Sequence, residues 1–179
     1  MLKKSLTKRL IIGLALSGCF WTGLETVILA QGSNPGLTIF SGVDRKDILS
    51  YFLDFGGNPG GWDRYRLRVP AKKVTQPISK FTITYPDYYD GKFSKDDIEI
   101  RVEGKSLPLQ EVILDQENHF IEIVPQESIP SGTAVEIVLS NVKNPPFGGT
   151  YYFNCNMLSA TDIPISLYLG TWILSIGRN

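Results

Sequence analysis

Histidine occurs once in the 179 residues and cysteine twice, and this scarcity excludes more chemistry than any motif supplies. Beyond residue 30 only His119 and Cys155 remain, too few imidazole and thiolate ligands for a transition-metal site. An exported domain with one cysteine forms no internal disulfide. There is no basic block: residues 31–179 carry 14 basic and 17 acidic residues, a net charge of −3, which argues against a nucleic-acid partner. No apolar run past residue 30 is long enough to cross a bilayer. No Gly-x-Ser-x-Gly motif sets a nucleophile near His119, which reads as a surface histidine beside a turn. The glycine-rich stretch 56–61 lacks the Gly-Lys-Ser/Thr ending of a phosphate loop. Acidic residues are plentiful enough for a glycosidase pair, whose spacing a sequence does not show. The chain is read as non-catalytic, with no catalytic residue assigned.

The N-terminus has what the rest lacks. Lys3, Lys4, Lys8 and Arg9 precede an apolar run from Leu10 to Trp21, and the segment ends in Val27, Ile28, Leu29 and Ala30. This is the layout of a secretory signal over residues 1–30 with a cut after Ala30, leaving one domain over 31–179. Leu16-Ser17-Gly18-Cys19 offers an alternative, a lipoprotein signal over 1–18 with a lipid on Cys19. An uncleaved anchor is the third option, although Glu25 and glycines interrupt it. The expected location is outside the cytoplasm, in the periplasm or cell envelope or fully secreted.

No helix of ordinary length is expected after residue 30. Period-two alternation recurs instead: Tyr65, Leu67 and Val69 against Arg64, Arg66 and Arg68; Phe81, Ile83 and Tyr85 against Thr82 and Thr84; Ile98, Ile100 and Val102 against Glu99 and Arg101. Ile121 and Ile123, then Val135, Ile137 and Leu139, repeat it. One apolar and one wet face per strand is the signature of antiparallel sheets packed on a core. With turn-forming stretches at 56–61, 103–105, 130–132 and 144–149, the pattern predicts an all-β, single-domain antiparallel β-sandwich, with a barrel as the alternative. Residues 44–53 start either as a short helix capped by Asp44 or as a loop running into a strand. Cys155 shares a face with Tyr151, Phe153 and Met157 and reads as a buried apolar residue. The apolar C-terminus, Ile165 to Ile176, reads as a docked terminal strand bent at Gly170-Thr171.

Five stretches together are distinctive: GWDRYRLRVP at 61–70, YPDYYDGKFSKDDIEIRV at 85–102, VLSNVKNP at 138–145, GGTYYFNC at 148–155 and YLGTW at 168–172. On these the chain resembles the DUF2808 family, a cyanobacterial domain of unknown function, from about residue 38 to residue 176. The resemblance implies a cyanobacterial exported protein and carries no catalytic residue across. The proline-glycine-threonine turn at 129–137 is similar to that of bacterial Ig-like domains, which makes the expected sandwich Ig-like.

Two sets of residues stand out as candidate sites. Asp87, Asp90, Asp96 and Asp97 fall within eleven residues around Gly91. Calcium takes six to eight oxygen ligands on a flexible loop, so these four are its candidates. The EF-hand spacing fails, because counting from Asp87 puts Tyr89 and Gly91 where ligands belong. The other reading is a turn between strands, with Tyr88, Tyr89 and Phe93 covering the sandwich edge. Trp62, Tyr88, Tyr89 and Tyr152 are candidates for a ligand or partner surface, since aromatic rings are enriched at interfaces. The expected role is an envelope module that binds an envelope protein or serves a structural purpose. The alternative is a carbohydrate-binding or calcium-dependent module acting on an envelope polysaccharide.

Overall fold

The computed structural model describes residues 42–177, so the expected signal segment 1–30 and Cys19 lie outside the described residues. Eleven strands follow: β1 Ile48–Leu49, β2 Tyr51–Leu53, β3 Trp62–Val69, β4 Ile78–Thr84, β5 Ile98–Val102, β6 Lys105–Leu107, β7 Leu109–Asp115, β8 Phe120–Pro125, β9 Val135–Lys143, β10 Gly149–Ser159 and β11 Ser166–Ile176. They form two sheets, in the orders β1-β11-β10-β4-β8-β7 and β2-β3-β9-β5-β6. Among the described residues only β1 and β11 run parallel; the other pairs are antiparallel.

The alternating residues decide which faces meet. Tyr65, Leu67, Phe81, Ile83, Ile121, Ile123, Ile137, Phe153, Cys155 and Trp172 are all fully buried between the sheets. Each buried aliphatic or phenylalanine side chain contributes about 1.5–3 kcal/mol of transfer free energy. In β10 Cys155 pairs with Ile83 and Met157 with Phe81, and β4 in turn pairs Ile83 with Ile121. The one polar atom of Trp172 is satisfied across the layers: its indole N–H donates to the Arg68 carbonyl at 3.1 Å. On the outward face of β3, Arg66 clasps Asp54 at 2.7 Å and Glu136 at 3.3 Å.

The order β2-β3-β9-β5 in one sheet and β4-β10-β11 in the other matches the ABED and CFG sheets of an immunoglobulin fold, in chain order. β6, β7 and β8 are an insertion between the fourth and fifth of those strands. Tyr151, near the start of β10, donates its hydroxyl to the Phe147 carbonyl at 3.1 Å, the tyrosine corner of such domains. The sandwich is therefore Ig-like, as the turn and alternation patterns predict.

Three local expectations take a more specific form. Residues 45–47 form a single 3-10 turn with no side-chain cap from Asp44, and the chain then splits its first strand between the two sheets. At Gly170 the expected bend takes the form of a bulge within a continuous β11. The bulge lies opposite Cys155 and Asn156, with Gly170 at φ +148°. Val138, which the alternation of Val135, Ile137 and Leu139 puts on the wet face, is fully buried, because it lies on a central strand between Arg66 and Glu99, whose aliphatic stems cover apolar surface.

Candidate functional site: the loop end of the sandwich

At one end of the sandwich the loops 54–61, 85–97 and 144–148 come together over the starts of β3 and β10. The anchor is Asp63. Period two points it inward with Tyr65 and Leu67, and it is buried. Its carboxylate accepts the backbone N–H of Phe55 at 2.9 Å, Gly57 at 2.8 Å and Arg64 at 2.7 Å. Asn144, also buried, gives its amide N–H to the Asn58 carbonyl at 2.9 Å and accepts the Tyr65 hydroxyl at 2.5 Å. Since Tyr65 spends its proton on Asn144, the 3.0 Å contact between Tyr65 and Tyr89 has Tyr89 as donor. A chain of polar groups thus runs through the core from Tyr89 to Tyr65 to Asn144, with Asp63 3.4 Å beyond.

Around it packs an aromatic cluster. Tyr89 stacks on Phe93 at 5.2 Å and meets Phe153 and Tyr151 edge-on at 5.1 Å. The expectation that Tyr89 belongs to an exposed surface is corrected: it is buried. Gly91 explains why, because a Cβ there would overlap the Tyr89 ring. Tyr152 is half-buried on the outward face of β10 opposite Ile173. Tyr88, by contrast, is 57% exposed and leans on Tyr151 at 5.8 Å.

The rim of this end is apolar and open. Phe55, Trp62, Tyr88 and Phe147 are 59%, 63%, 57% and 78% exposed. Backbone bonds tie their loops together: Gly60 N–H to the Pro145 carbonyl at 2.8 Å, Asn144 N–H to Gly61 at 2.9 Å, and Gly177 N–H to Gly57 at 3.0 Å. Lys143 sits over the Trp62 ring, 5.1 Å from its centroid.

Beside Trp62 opens a cleft of about 570 Å³ lined by Trp62, Lys92, Phe93, Ser94, Asp97 and Asn141. A bulge makes it. In the β3–β9 ladder Asp63 pairs with Val142 but Tyr65 with Leu139, so Ser140 and Asn141 together oppose Arg64, and Asn141 takes a left-handed φ of 51°. On the other side β5 pairs with β9 only as far as Leu139, and pairing resumes at Lys92–Lys143. The interruption is the cleft. Hydrogen bonding from Asn141, and then from Ser94, holds the Asp97 carboxyl below the usual carboxylate range.

The four aspartates do not assemble. Asp87, Asp90 and Asp96 are exposed, Asp97 faces Asn141 and Ser94, and among the described residues no three histidine, cysteine, aspartate or glutamate side chains come close enough to hold a metal. The four calcium candidates are thus spread along the loop rather than gathered as one carboxylate cluster. Burial pushes the Cys155 thiol well up, and His119 packs edge-on against Tyr85 at 5.6 Å.

Asp63, Asn144 and Asn141 were not among the sequence candidates, yet each leaves a trace. Asp63 occupies an inward position of an otherwise apolar register. Asn144 stands two residues after the inward Val142. The step from Leu139 to Val142 is three rather than two, the mark of an extra residue.

No curated protein matches the sequence. Among solved structures the fold is similar to BslA, a bacterial hydrophobin, with TM-score 0.48 and 16% identity over 74% of this chain and 94% of that one. It is also similar to an uncharacterized protein from Nocardia farcinica with an immunoglobulin-like fold, with TM-score 0.43 and 11% identity over 73% of this chain and 98% of the other. A third is the collagen-binding domain of a Staphylococcus aureus adhesin, with TM-score 0.43 and 11% identity over 73% and 97%. The sequence itself matches the DUF2808 family, described as a protein of unknown function, over residues 37–176, and the chain belongs to that family.

Proposed function

We propose that this chain is an exported, non-catalytic module of the cell envelope that binds another envelope protein through the loop end of its sandwich. The observation that carries the reading is the rim of Phe55, Trp62, Tyr88 and Phe147, each more than half exposed on loops fixed by backbone hydrogen bonds. Aromatic side chains with two torsions, on a base already ordered, lose little entropy on docking and anchor interfaces. The sealing of Cys155 in the core supports the non-catalytic part of the reading. Export with a cut after Ala30 is part of the proposal.

The test is capture from the exported fraction, with the wild-type chain and a Phe55→Ser/Phe147→Ser double variant, followed by mass spectrometry of the bait's own N-terminus. The expected outcome is one stoichiometric protein held by the wild type and lost by the variant, and a bait beginning at Gln31. A partner retained equally by both chains would place the interface elsewhere. A lipid on Cys19 would replace the cut at Ala30 with membrane anchoring.

A further inference from the structure

We infer that the cleft beside Trp62 is a saccharide site that takes a pyranose ring. This goes beyond the partner reading; the two share Trp62, but Phe55 and Phe147 do not line the cleft, so each can fail without the other.

Four observations converge. Trp62 is 63% exposed, so a flat indole face stands open at the cleft wall. Such a face is electron-rich, and the axial C–H bonds of a pyranose, polarised by neighbouring oxygens, lie against it favourably. The facing wall is polar in the way sugar hydroxyls require. Asp97 accepts, Lys92 donates, and Ser94 and Asn141 do both. A vicinal diol can bridge such a set, using donor and acceptor capacity that remains beyond the bonds of Asn141 and Ser94 to Asp97. The volume of about 570 Å³ lies within the roughly 300–1,000 Å³ of small-molecule sites, and the cleft is open at its side, so a ring within a longer chain can enter.

The fourth observation is that the backbone departs from regular pairing to make this cleft. Bulges re-aim side chains next to functional sites. Here the bulge turns Asn141 into the gap at a left-handed φ of 51°, a conformation that asparagine tolerates better than most side chains. Lys143 lies over the Trp62 ring but does not line the cleft, so it braces the platform without filling the site. Lys92 and Asp97 leave the cleft with no excess charge of either sign, suited to neutral pyranoses and tolerant of acidic ones.

The experiment is titration calorimetry of the full chain with cellohexaose, maltohexaose, chitohexaose and hexagalacturonate. At least one should bind, and Trp62→Ala should weaken that binding by about tenfold or more. Asp97→Asn should weaken it by about tenfold, and Tyr152→Ala, on the outward face of β10, should leave it within about twofold. Trp62→Phe should recover part of the loss. Trp62 is mostly solvent-exposed, so an unchanged melting temperature will show that its variants fold. Binding only of hexagalacturonate, weakened by salt, assigns an acidic saccharide; binding of the neutral oligomers assigns a neutral one. No binding by any of the four, or binding that survives Trp62→Ala, overturns the inference. Loss of the captured protein partner in Trp62→Ala with no saccharide bound would likewise make Trp62 part of the protein interface alone.

Discussion

Asp63 shows how one residue can organise a loop. Every group around its carboxylate is a donor: the N–H of Phe55 and Arg64 on one oxygen, and the N–H of Gly57 and the Asn144 amide on the other. Asp63→Asn keeps the shape but turns an NH2 toward N–H groups on one side or the other. The expected cost is about 1–3 kcal/mol, read as a lower urea midpoint with an unchanged slope. An unchanged midpoint would mean that the 54–61 loop is held by its glycines alone. The sequence was only partly readable at this scale. Tyr89, Tyr88 and Asp87 stand side by side in one turn-rich stretch, and composition does not say which of them turns inward. That is decided by the room Gly91 leaves for the ring and by Tyr65 across the core, distant in sequence. Trp62 was readable as a surface candidate because it occupies the outward phase of β3, opposite Asp63 and Tyr65.

At the scale of elements, the alternation was legible almost everywhere because each strand of a two-layer sandwich has one wet face. It fails at Val138, where a central strand lies between two long charged side chains, and at Asn141, where the phase slips. Gly170 is another place where the register is adjusted. A Cβ there would come within 2.5 Å of the Asp47 carbonyl oxygen and 2.8 Å of Leu49 Cγ, and its φ of +148° is one that other residues avoid. Gly170→Ala is expected to cost about 1–3 kcal/mol. Hydrogen exchange should place the loss at β1 and the facing part of β11, while exchange at β5 and β6 stays as in the wild type. Protection unchanged at β1 would show that the bulge can relax without moving its neighbour.

For the whole molecule, the aromatic core has a consequence for pH. Burial pushes the phenols of Tyr65 and Tyr89 far above their ordinary value near 10; the hydrogen bond from Tyr89 partly offsets this at Tyr65, while Tyr65 adds to it at Tyr89; burial also raises Tyr85 and Tyr151. The folded chain keeps these protons where the unfolded chain gives them up. The contribution to stability is complete below the unfolded value and declines as pH rises beyond it. Urea midpoints should therefore hold up to about pH 10 and fall steeply above it. In Tyr89→Phe the fall should be shallower, because one of the buried phenols no longer titrates. A slope identical to wild type would show that Tyr89 is not among the groups driving it.

The split first strand has a mechanical meaning. β1 runs parallel to β11, so the chain enters the sandwich beside the strand by which it leaves, and the two point the same way. A pull between residues near Gly42 and Gly177 drags these neighbours past each other along their length, loading their bonds together rather than one at a time. Resistance to such a pull is set by an unfolding rate, not by equilibrium stability. In this fold it falls first on Ile48, Leu49 and their partners Thr171 and Trp172, at the seam that Gly170 allows to close.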